Sequence, residues 1–100
     1  MTEKLTDPAL AQALLKLNED LDVPWSIVDG ALHKQFAFDN FVQTFGFITQ
    51  VALVAQRLNH HPDWSNRYKV VEFHLSTHKC HGISELDFQL AQQIESLAGQ

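Results

Sequence analysis

The chain has 100 residues, a net charge of −5 with histidines neutral, and 45% apolar or aromatic positions, enough for one domain with its own core. Seven dispersed basic residues argue against direct nucleic-acid binding and against a membrane-surface helix, since both need clustered cations. No apolar run approaches the roughly 20 residues of a membrane span, Met1–Leu15 lacks a signal-peptide pattern, and Cys80 is the sole cysteine, so a cytoplasmic setting is expected.

No linker, repeat or low-complexity tract divides the sequence, and residues 1–100 read as a single domain. Thr6 or Asp7 caps a first helix with Pro8 in its first turn. Leu10, Leu14, Leu17 and Leu21 line one face of it, and Pro24 closes the segment. Trp25–Val28 and Ala31–Phe38 flank Asp29-Gly30, a pair suited to the positive φ angles of a tight hairpin. Alternation puts Phe36 and Phe38 on one face. Asp39 or Asn40 caps a second helix that runs to Asn59 before Pro62.

That helix has two apolar stripes. Phe41, Phe45, Ile48, Ala52 and Ala55 are expected to face the sheet, leaving Phe47, Val51, Val54 and Leu58 at the spacing of a helix–helix seam. Either another helix of this chain or a second copy must cover the latter. Self-association through Phe47, Val51, Val54 and Leu58 is the expectation, as a homotetramer with a dimer as fallback.

Trp64–Tyr68 reads as a short strand or as a turn. Val70–His78 alternates as a half-buried strand, with Val71, Phe73 and Leu75 inward and Glu72, His74, Ser76 and His78 outward. Gly82 breaks the chain. Ser84-Glu85-Leu86-Asp87 forms a capping-box variant that opens a last helix buried through Leu86, Leu90, Ile94 and Leu97. The order is α-β-β-α-β-β-α, an α+β domain with three helices on one face of a four-stranded antiparallel sheet.

Six histidines are out of proportion. His60 and His61 end the second helix, where the negative end of the helix dipole favours imidazolium, and a turn after His78 would let it face them. Imidazole both gives and takes a proton near neutrality, so the three suggest acid–base work without a sequence-adjacent carboxylate. Each also has a plainer reading, as a helix cap or strand residue. A metal site among His74, His78, Cys80 and His81 is the weaker reading, because no HExxH motif, CxxC pair or acidic cluster completes it. His33 and His74 read as ordinary strand residues, Trp64 as a core lid or stacking platform, and Asp87 as a helix N-terminal residue.

Together, His60-His61-Pro62, Trp64, Tyr68, Ser76-Thr77-His78, Gly82-Ile83-Ser84 and Asp87 resemble the pterin-4a-carbinolamine dehydratase family. The likeness extends upstream through Phe45-Gly46-Phe47 to the Trp25–Phe38 hairpin. The resemblance implies a cofactor-free, metal-free lyase that dehydrates a 4a-hydroxytetrahydropterin to quinonoid dihydropterin, recycling the pterin of aromatic amino-acid hydroxylases. It implies that His60 and His78 donate protons, that His61 positions substrate, and that Asn59, Ser76, Thr77 and Lys79 contact the pterin. Gln56 and Asn59 depart from the acidic residues frequent in the family. Some members serve as dimerisation cofactors of a homeodomain transcription factor, which supplies the alternative function of an interaction module.

Overall fold

A computed structural model describes residues 3–99. Its elements are α1 (Asp7–Asn18), β1 (Ser26–Val28), β2 (Ala31–Ala37), α2 (Phe41–Leu58), β3 (Asp63–Arg67), β4 (Val70–Leu75), a 3-10 turn (His78–Cys80) and α3 (Glu85–Ala98). The strand order is β1-β2-β4-β3, and all three pairings are antiparallel. Two hairpins therefore meet along β2 and β4. The first turns through Asp29 and Gly30, at φ 51° and 78°, the left-handed region in which glycine carries no Cβ penalty. The second turns at Tyr68, at φ 52°, and Asn66 Nδ2 donates to the Tyr68 and Val70 carbonyls at 3.2 and 3.0 Å. Asp63–Arg67 is thus a strand.

Strand alternation sorts the sheet into two faces. Leu32, Val71, Phe73 and Leu75 are fully buried under the helices, and Phe73 sits at the centre of an aromatic cluster with Phe36, Phe47 and Trp64 at 5.8–6.0 Å. Lys34 also points inward. Its ammonium pairs with Glu95 Oε2, which accepts from Trp25 Nε1 at 2.8 Å. One carboxylate oxygen of α3 thereby fixes both the residue before β1 and the middle of β2. On the open face, the hydrogen bond from His33 to Glu72, 2.6 Å, holds the Glu72 carboxyl below the usual carboxylate range, aided by the charges of His33, His74 and Arg67. The contribution of this solvent-facing pair is present at neutral pH and is lost as pH falls through that lowered range.

The orientation of α2 is a correction. Phe47, Val51 and Val54 are buried within the chain, and Leu58 packs on the same core. The stripe expected to face a second copy is therefore the inner one. The ring of Phe47 lies 4.9 Å from that of Phe38 and 5.4 Å from that of Phe36. Phe41 and Phe45, expected to face the sheet, are exposed, as are Val42 and Leu53. The physical reason is that α2 packs on both the sheet and α3, so its buried arc is broad and centred on Val51.

Phe73→Ala would open a cavity where three other rings converge, and is expected to cost about 3–5 kcal/mol of stability. Urea unfolding followed by far-ultraviolet circular dichroism measures it.

Candidate active site

The site forms where α2 ends and the chain leaves β4. Asn59, at φ 53°, adopts the left-handed conformation that asparagine tolerates at a helix end. His60 N–H bonds back to the Ala55 carbonyl at 3.0 Å. This closure reverses the chain before Pro62 and delivers His60 and His61 at a fixed angle to the helix.

His78 does not continue the strand as the alternation implied. β4 ends at Leu75, and Thr77 pairs with Gly82, Thr77 N–H donating to the Gly82 carbonyl at 2.7 Å and Gly82 N–H to the Thr77 carbonyl at 3.3 Å. The intervening residues must make a tight loop. They do so through the 3-10 turn and His81 at φ 57°. His78 therefore stands on the loop facing the end of α2. One cavity of about 390 Å3 is lined by Leu58, Asn59, His60, His61, Ser76, Thr77, His78, Lys79 and Leu86. It gathers all seven residues singled out from the sequence.

Their environments differ. His60 is nearly buried, and its Nε2 lies 2.5 Å from Oδ1 of the fully buried Asp87. Asp87 Oδ2 accepts from Thr77 Oγ1 at 2.8 Å and from Ser84 N–H at 2.9 Å, and the Thr77 and Ser84 hydroxyls lie 2.6 Å apart. Among the described residues Nδ1 of His60 has no hydrogen-bond partner. The network also engages the Thr77 hydroxyl inside the protein. His61 and His78 are exposed, and His61 Nε2 lies 3.0 Å from Gln56 Oε1. The neutral Gln56 thus orients His61 by accepting from it when Nε2 carries the proton.

Asp87 is the residue whose part was understated. It is the helix N-terminal residue expected, completing the capping box through Ser84 N–H, and it is also the carboxylate partner of His60. The capping-box spacing signalled only that the Asp87 carboxylate reaches back to the Ser84 N–H, and the pairing with His60, 27 residues away, had no local signal.

A domain with helices on one face of an antiparallel sheet, and a histidine-lined cleft at the junction of α2 and β4, matches known proteins closely. The family model for pterin 4 alpha carbinolamine dehydratase matches residues 3–97. A Jannaschia sp. (strain CCS1) protein named as a pterin-4-alpha-carbinolamine dehydratase is 51% identical over 100 residues, covering 98% of this chain and 99% of the relative. One of Roseobacter denitrificans with that name is 46% identical, over 99% and 100% of the two chains. The crystal structure of a transcriptional coactivator/pterin dehydratase from Brucella melitensis superposes with a TM-score of 0.88 at 37% identity, over 97% of this chain and 100% of that one. A pterin dehydratase-like protein, identified as a RuBisCO assembly factor in the alpha-carboxysome, gives a TM-score of 0.63 at 25% identity, over 76% and 88%. The chain belongs to the pterin-4a-carbinolamine dehydratase family.

Removing the Asp87 carboxylate would leave His60 Nε2, the Ser84 N–H and the Thr77 hydroxyl short of an acceptor. Asp87→Ala is expected to destabilise by about 3–5 kcal/mol, and Asp87→Asn by less because an amide oxygen can still take the Ser84 N–H. Denaturant midpoints of the two variants check this.

Proposed function

We propose that the chain is a hydro-lyase that dehydrates a 4a-hydroxytetrahydropterin to the quinonoid dihydropterin by histidine acid–base catalysis. The observation that carries the reading is the convergence of His60, His61 and His78 on one cavity, in a chain whose family match spans residues 3–97. A cleft of this size lies within the range that small flat ligands occupy.

Hydroxide is a poor leaving group and water a good one. In the proposed step an imidazolium, His60 or His78, protonates the 4a-hydroxyl as the C4a–O bond breaks. The ring-nitrogen lone pair completes the new double bond, and the proton on that nitrogen is released, so the balance is loss of one water. Asp87 holds His60 in one orientation, as a carboxylate does for a catalytic imidazole. His61 and Gln56 sit at the rim as a positioning pair. Asn59, Ser76 and Lys79 supply polar groups for the pterin edge, while Thr77 acts from behind through Asp87. A cytoplasmic setting accords with this chemistry. Among the described residues no helix is long and apolar enough to cross a membrane.

A homo-oligomer also belongs to this reading, now through the outer face of α2. Val42, Phe45 and Leu53 are 80%, 53% and 64% exposed and fall on one side of the helix at about 100° per residue. Gly46 lies on the same side with open space over its Cα, although mid-helix glycine costs about 0.5–1 kcal/mol relative to alanine. Close approach of a second helix gives both features a use. The same exposed face favours a second reading, an interaction module acting as a transcriptional coactivator, the role named for the Brucella melitensis protein.

His60→Ala and His78→Ala are expected to lower kcat by about 10²–10⁴, and His61→Ala mainly to raise KM. Following loss of the 4a-hydroxy intermediate in a pterin-dependent hydroxylase reaction, with no other protein partner present, measures this. Full activity in all three variants would remove the histidines from the mechanism, and no activity in the wild type would remove the enzymatic reading. Phe45→Glu is expected to shift the assembly to a smaller species in light scattering while the far-ultraviolet spectrum stays native.

A further inference from the structure

The open face of the sheet carries a second histidine cluster. His33 and His74 are directly paired across β2 and β4, with ring centroids 4.7 Å apart and tilted by 48°. Glu72 precedes His74 by two residues and shares its face, and its Oε2 lies 2.6 Å from His33 Nε2. One ligand atom from each of the three lies within 4.8 Å of the other two, and all three residues are half-buried. None of them lines the cavity of His60, His61 and His78.

We propose that His33, Glu72 and His74 form a binding site for a borderline divalent cation, with zinc the ion that suits the donor set. Two imidazoles and one carboxylate select first-row metals of that kind over magnesium or calcium, which prefer all-oxygen ligands. Metal–ligand distances of about 2.0–2.2 Å are reached from this arrangement by rotating side chains, because each ligand stands on a hydrogen-bonded strand. A cross-strand charge pair explains His33 and Glu72 alone. It leaves His74 without a hydrogen bond among the described residues and sets two imidazoles side by side. A shared cation uses a lone pair from each ring and keeps both neutral. Asp63 of β3 is the direct cross-strand partner of His74 and is exposed, but it is not one of the three clustered ligands. The cation would tie β2 and β4 together across the sheet.

Zinc chloride titrated into the full chain by calorimetry tests this. One saturable site per chain is expected, weakened at least about tenfold by His33→Gln or His74→Gln and unchanged by His78→Ala. Imidazole nitrogen chemical shifts in the wild-type protein give a reading independent of variant folding, with His33 and His74 moving on zinc addition. Absence of saturable binding, or binding lost in His78→Ala and kept in His33→Gln and His74→Gln, would overturn the proposal.

Discussion

The Asp87 carboxylate is the point on which the site depends. It is fully buried, and burying a charge is tolerated only when its lone pairs are met. Here they are met from three separate parts of the chain: His60 after α2, Thr77 after β4, and Ser84 at the start of α3. Each of those residues lies outside the long helices and the four strands. The carboxylate converts three chain ends into one wall of a cleft, so the cleft's shape and the stability of the α3 start are a single quantity.

A second carboxylate organises the opposite part of α3 by the same logic. Glu95 accepts from Trp25 and Lys34, and Asn18 clasps the Trp25 backbone with bonds of 2.7 and 2.9 Å. The two acids stand near opposite ends of α3, Glu95 gripping β2 and the residue before β1, Asp87 the segments that follow α2 and β4. Between them Leu90, Ala91 and Ile94 are buried without exposed surface. The helix is thus set by polar anchors at its ends and apolar filling between them.

Much of this was legible in the sequence, where local chemistry decided the outcome. The Asp29-Gly30 turn, the Asn40 cap, whose side chain accepts from Gln43 N–H, and the Ser84–Asp87 box each depend on residues within four positions. The element order followed from them. What was not legible depended on partners distant in sequence. Apolar residues occupy so much of α2's circumference that its wheel admits more than one inward direction, and only the presence of α3 beside the sheet selects Val51 as the centre. The alternation through Ser76 and His78 continues past the real end of β4, because pairing of Thr77 with Gly82 is invisible to periodicity. The carboxylate that receives the buried Lys34 ammonium, Glu95, lies 61 residues away in sequence. His60, His61 and His78 were singled out as residue types at suggestive spacings. Their company with Asp87 needed the fold.

The two tryptophans divide the molecule in a way that spectroscopy can exploit. Trp25 is 1% exposed and donates its indole N–H to a carboxylate, whereas Trp64 is 38% exposed on the edge strand β3. Their emission should separate into a blue component inaccessible to a polar collisional quencher and a red, quenchable one. The chain thus carries two tryptophan reporters, one on the cohesion of the interior and the other on whatever approaches the free margin of the sheet.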